Sequence, residues 1–217
     1  MGFLTVLRAI FILIIPFLIF LAAFKYASFD EEFYDEKFAQ YEVDRHVPNA
    51  SSLNQKIISF VTGKGNELPE LNEREKRHLM DVRNAIRAST AAFYFLSVLF
   101  VSLSFASAFI LRDKYKTADF AGKILAFGGL LTVAFSLALF LLINFNFQSA
   151  FEQFHVMLFG QGTYTFDASK ELLVNIYPEQ LFMNLGLRIS KLVIISAVII
   201  MSLGFLFLSI SKNKKNK

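Results

Sequence analysis

The chain has 217 residues, of which 55% are hydrophobic, with 22 Lys and Arg against 18 Asp and Glu for a formal net charge of +4. A mean hydropathy of +0.49 lies above the globular norm and makes lipid part of the solvent. With no Cys, the chain has neither disulfides, thiolate metal sites nor a thiol nucleophile, and with no Trp among its 27 Phe and 7 Tyr, Phe and Tyr must supply any aromatic belt.

A hydrocarbon core of about 30 Å takes about 20 apolar helical residues to cross. Four such runs occur, at about 3–24, 91–111, 124–143 and 192–210. They predict an all-α integral membrane protein: a four-helix bundle, single membrane domain 1–217, with amphipathic helices in two extracytoplasmic segments. Pro16 in the first span and Gly128-Gly129 in the third are expected to bend or closely pack their helices, which bundles tolerate.

Orientation follows from Lys and Arg in the short flanks. The tail holds Lys212, Lys214, Lys215 and Lys217, and the link 112–123 holds Arg112, Lys114, Lys116 and Lys123. Both are expected in the cytoplasm of a multi-pass cell-membrane protein. An even number of spans puts the amino terminus there too, with Arg8 nearby. The longer connections, 25–89 and 144–188, fall outside, and each has more acids than bases. A cleaved leader is the alternative for the first run, but the run is long for one and AAFKYA makes a poor cleavage site.

In the first outer segment, SFDEEFYDEKFAQY spaces Phe33, Tyr34, Phe38 and Tyr41 for one face of a helix lying against the membrane surface. After Pro48-Asn49, Ser51 can cap a short helix running to about Val61 and ended by Gly63 and Gly65. In LNEREKRHLMDVRNAIRA, Asn72 and Glu75 have capping-box spacing, and Leu79, Val82 and Ile86 form an apolar stripe, so a helix should lead into the second span. On it Glu75, His78 and Asp81 are three apart. A carboxylate beside an imidazole fixes its tautomer and raises its basicity, as a general base requires; a solvated, charge-laced helix with an incidental His has the same spacing.

In the second outer segment, Phe147, Phe151, Phe154 and Leu158 recur at helical spacing and predict an amphipathic helix at the outer leaflet with His155 on it. Gly160 and Gly162 should end that helix, and Thr163–Phe166 connect onward. Asp167 or Ser169 can start another helix to about Asn175, before Tyr177-Pro178-Glu179 turns the chain. An ionisable group at membrane depth is costly and makes His155 a functional candidate. His46, before Val47-Pro48, reads as a loop residue. The three His lack metal-ligand spacing and HExxH is absent. GKGNELPE lacks the Gly-Lys-Ser/Thr end of a phosphate loop. No cofactor, metal or nucleic-acid partner is expected.

Taken in order, the aromatic helix after the first span, EREKRHLMDV, FEQFHVMLFG and TFDASKELLVNIYPEQLF resemble the Lit-type lipoprotein intramolecular transacylases, over nearly the whole chain. The E-x-x-H-x-x-D-V and FH segments are the most specific parts, and YPE supports them. One departure is Tyr164, where the family pattern leads one to expect Trp. The resemblance implies a membrane acyltransferase that moves the sn-2 acyl chain of a diacylglyceryl lipoprotein to the α-amine of its own amino-terminal cysteine. Membrane lipid and a lipid-modified protein terminus would be its partners.

The family's two functional histidines match His78 and His155. His78 is then the expected base and His155 the acid or oxyanion donor, with the roles exchangeable. Glu75, Asp81, Tyr164 and Glu179 would support them or position substrate. The competing expectation is a non-enzymatic structural or client-binding membrane protein. A transporter fits less well, because the spans carry almost no ionisable residue after Arg8.

Overall fold

The computed structural model describes residues 2–159 and 164–212. Gly160, Gly162 and Thr163, with Lys214, Lys215 and Lys217 of the tail, lie outside the described residues. The elements are α1 Phe3–Ala27, α2 Glu31–Gln40, a 3-10 turn at Val43–Arg45, α3 Ala50–Val61, α4 Glu73–Leu111, α5 Lys114–Leu158, α6 Leu173–Ile176 and α7 Glu179–Lys212. Among the described residues there is no strand. Helices α1, α4, α5 and α7 are long and apolar enough to cross a membrane, and the four predicted spans fall inside them. The chain divides into two compact units: 1–24, 91–141 and 188–217 form one, and 25–90 with 142–187 the other.

The first unit is built from the apolar stretches. Leu7, Phe11, Ile14, Ile15, Ile19 and Ala23 make the buried face of α1, whereas Phe3, Val6, Leu13 and Phe17 are exposed. In α4 the exposed row is Tyr94, Phe95, Val98, Val101, Phe105 and Phe109. Water would penalise such surface by about 25 cal/mol per Å², so these rows face lipid. Phe11 carries the junction of three helices, its ring 5.0 Å from Phe100 and 6.2 Å from Phe120. The Arg8 guanidinium lies 5.3 Å from the centre of the Phe120 ring.

Small residues let α5 and α7 touch backbone to backbone. A Cβ added to Gly122 would stand 2.9 Å from the Gly204 carbonyl, and one on Gly129 the same 2.9 Å from the Ala197 carbonyl. Gly128 points the other way, onto Ile15 of α1 at 2.6 Å. In lipid the attraction between helices is close packing and internal hydrogen bonding, which such seams permit. Hydroxyls within the stretches bond back into the protein: Thr132 donates to the Gly128 carbonyl (2.7 Å) and Ser136 to that of Ser190 (3.2 Å). Pro16 lies inside α1 without ending it. Between α4 and α5, Arg112 takes φ +51°, and the Asp113 carboxylate caps α5 by accepting from the amides of Tyr115 and Lys116 at 2.9 Å each.

The second unit shows three departures from expectation. The aromatic side of α2 is turned inward: Phe33, Tyr34 and Phe38 are buried, and the latter two rings meet Tyr177 at 6.0 and 6.3 Å. Ser51 does not cap α3. Asn49 precedes the helix at φ 60°, the Asp44 carboxylate accepts from the Ala50 amide (3.1 Å), and the Ser51 hydroxyl donates to Asp35 of α2 at 2.5 Å. The helix expected from Asp167 or Ser169 shrinks to the single turn α6. The Asp167 side chain there accepts from the Ser169 amide at 2.9 Å, and the Leu173 amide bonds outside its own helix, to Glu75.

Candidate active site

The second unit brings His78 and His155 together. His78 rides on the first turns of α4, whose start is fixed by a reciprocal capping box. The Asn72 side chain accepts from the Glu75 amide (3.0 Å), and the Glu75 carboxylate accepts from the Asn72 amide (2.9 Å). His155 lies on the last stretch of α5, which is set off from the membrane-spanning part by a break at Asn146 (φ −155°, ψ 63°). The Asn146 side chain accepts from the Ser149 amide at 3.3 Å, giving the final stretch a new start.

The two imidazoles are nearly parallel, with centroids 6.3 Å apart and planes 19° apart. Phe159 packs on both, 5.0 Å from His78 and 5.5 Å from His155. Phe166 stands edge-to-face to His78 at 5.4 Å, and Tyr164 and Phe151 lie 5.1 and 4.2 Å from His155. The site is therefore a pair of titratable rings set among aromatic side chains, His78 buried and His155 half-buried.

This surrounding sets the protonation. Burial pushes His78 down to about 4; the neighbouring His155 adds to this, and the Asp81 charge acts against it. Burial also lowers His155, opposed by its hydrogen bond to the Phe151 carbonyl. Both rings are neutral near pH 7. A carbonyl can only accept, so the 2.7 Å contact between His155 Nδ1 and the Phe151 oxygen puts the proton on Nδ1 and leaves the Nε2 lone pair available. His78 Nδ1 is buried without a hydrogen-bond partner, a condition that a substrate group can relieve.

The other candidate residues are placed as follows. Glu75, only 1% exposed, directs its carboxylate to the backbone, accepting from the Leu173 amide at 2.8 Å and from that of Asn72. Asp81 acts on His78 through its charge. Tyr164 lies against His155, whereas Glu179 is exposed in the first turn of α7. His46 is exposed at the end of the 3-10 turn.

Sequence reasoning missed Arg74, Glu171, Phe159 and Phe166. Arg74 shares a helical face with His78 four residues on, but nothing in the charge run EREKR marks which cation turns toward the site. Glu171 is buried at 6% exposure and follows Asp167 by four residues, the one visible sign of the 2.6 Å bond from the Asp167 amide to its carboxylate.

The model of the family described as lipoprotein intramolecular transacylase Lit matches residues 9–182. Among solved structures, the membrane-integral lipoprotein intramolecular transacylase Lit from Bacillus cereus is similar with a TM-score of 0.82 and 20% identity, over 99% of this chain and 98% of that one. Two variants of that protein, with a histidine replaced by arginine or by alanine, have TM-scores of 0.76 at 19% and 20% identity. Each covers 99% of this chain, which spans 95% and 96% of theirs. At such identities the likeness establishes the fold of a multi-pass membrane protein. No curated protein sequence matches the chain.

Proposed function

The chain belongs to the family of the lipoprotein intramolecular transacylase Lit, and from that premise we propose that it is itself an intramolecular acyltransferase acting on diacylglyceryl-modified lipoproteins. The sn-2 acyl chain moves to the α-amine of the same amino-terminal cysteine, with His155 carrying the proton and His78 donating to the oxyanion. The single observation carrying the assignment is the stacked pair of neutral imidazoles inside an aromatic enclosure.

The reaction needs an amine nitrogen without its extra proton, a polarised ester carbonyl and a protonated leaving oxygen. His155 is the better base, because its Nδ1–H is committed to the Phe151 carbonyl and Nε2 faces the reaction with a lone pair. The amine attacks the ester carbon as its N–H proton passes to Nε2, forming the N–C bond and a cyclic tetrahedral intermediate. Collapse breaks the bond from the acyl carbon to the sn-2 oxygen, and the proton held by His155 passes to that oxygen. The product is an N-acylated monoacylglyceryl cysteine.

His78, held near 4, is a weak base that stays neutral and can donate to the developing oxyanion. This reverses the order favoured by spacing alone, since Glu75 bonds backbone amides rather than orienting His78. Donors aimed at the oxyanion in a dry site are worth about 3–4 kcal/mol in comparable acyl transfers. The aromatic walls hold the lipid folded back on itself and exclude water, which would otherwise hydrolyse the ester.

The basic link around Arg112, Lys114, Lys116 and Lys123 supports a cytoplasmic location for both termini, and thus an extracytoplasmic one for 25–89 and 144–188. The rearrangement conserves mass, so the test is fragmentation of a lipoprotein amino-terminal peptide from cells with and without the protein. An N-acyl fragment that depends on the chain supports the assignment; an O-acylated peptide with a free amine in both samples rejects it.

A further inference from the structure

We propose that Arg74 is a positioning residue of this site, fixing the main chain between Tyr164 and Phe166 so that both rings stand correctly against the two histidines. The proposal rests on the transacylase reading only for its effect on turnover; its geometric part stands on contacts alone.

Arg74 lies one helical turn before His78. Its guanidinium donates to the Thr165 carbonyl and reaches the Glu171 carboxylate at 3.4 Å, while its carbon lies 5.4 Å from the centre of the Phe166 ring. Thr165 sits between the residue walling His155 and the residue walling His78, so displacement of that one carbonyl moves both walls. The far end of the segment is tied down as well. Glu171 accepts from the Asp167 amide at 2.6 Å, and Glu75, next to Arg74, accepts from the Leu173 amide. Two consecutive side chains of α4 thus hold 165–173 to the helix that carries His78.

The chemistry of the contact calls for arginine. One planar cation meets a carbonyl, a carboxylate and a ring face together, which the compact ammonium of lysine cannot reproduce. The Arg74 side chain is 42% exposed and acts through the backbone, so it need not touch substrate. The walls it holds pack against the buried His78, and reacting groups misplaced by about 1 Å can lose a hundredfold in rate.

The test uses the full chain in lipid nanodiscs, with Arg74→Lys as the deciding variant. It keeps the positive charge, so a change at His78 reports the wall rather than a lost charge. Glu171→Gln is the second variant, and Lys76→Ala, which removes the neighbouring surface pair with Glu73, is the control. The readouts are the His78 imidazole titration by NMR, which needs no turnover, and kcat and KM measured separately.

For Arg74→Lys, kcat should fall about ten- to a hundredfold with little change in KM, and His78 should titrate higher than in the parent, opposed less by burial. Glu171→Gln should shift both in the same direction, and Lys76→Ala neither. Arg74→Lys with parental kcat and parental His78 titration overturns the proposal, as does a loss of activity that merely follows a lowered melting temperature. A parent chain without transacylase activity removes the reaction but not the test, because the His78 titration still decides whether Arg74 holds the wall.

Discussion

His78 and His155 face each other with ring planes only 19° apart and centroids 6.3 Å apart, although one belongs to the start of α4 and the other to the end of α5. The aromatic side chains around them, rather than a carboxylate partner, set the state of both rings. In the proposed reaction both imidazoles are neutral, one accepting a proton and the other polarising the ester.

The first prediction concerns pH. Both imidazoles are lowered in the folded protein, His78 from 6.5 to about 4, so the unfolded chain binds protons first as pH falls. Their contribution to stability is whole above about 6.5, declines as pH drops, and is lost once the medium passes the folded values. The melting temperature in detergent should fall between pH 6.5 and 4, and less steeply for His78→Asn. Turnover should rise with pH through the amine's ordinary range of about 7.7 to 8.0, because the folded histidines are already neutral there.

A second prediction separates clasp from orienter at Glu75. Glu75→Ala leaves the amides of Asn72 and Leu173 without their acceptor, at about 1–3 kcal/mol each. Chemical unfolding should show a marked loss. Glu75→Gln keeps one acceptor oxygen and should fall between parent and Ala. The His78 tautomer, read from ring nitrogen shifts, should be unchanged in Glu75→Gln; a changed tautomer would mean that the carboxylate orients the ring after all.

The fate of Glu75 illustrates how much could be read in advance. Four charge-free apolar runs dictate four spans, and the capping box was visible because it depends on residues three apart, as Asn72 and Glu75 are. Spacing could show that Glu75 and His78 are neighbours, but not that the second oxygen of Glu75 would be taken by Leu173, a contact made only when distant chain meets α4. The inward turn of α2 was hidden for the same reason. Its partner Tyr177 supplies a half-buried ring and a hydroxyl bonded to Asn54 at 2.7 Å, and neither adjoins α2 in sequence.

A third prediction addresses the seam of α5 and α7. A Cβ on Gly204 would run into the backbone of Ala126 and Gly122, so Gly204→Leu forces two spans apart at about 1–3 kcal/mol or more. Phe205→Ala, one residue on but exposed, should be far milder. Unfolding in detergent compares them; equal losses would show that the close approach carries no weight.

The central claim is that the paired imidazoles carry out acyl migration, and single substitutions test it most directly. Lipoprotein amino-terminal peptides should be fragmented from cells lacking the parent chain and supplied with parent, His78→Ala or His155→Ala. The parent should give N-acylated, monoacylglyceryl peptides. Each variant, present at parental level in the membrane, should leave the amine free and both glycerol esters intact, with the rate reduced about 10²–10⁴-fold. Undiminished N-acylation with either histidine removed would contradict the mechanism and favour a client-binding role for the protein.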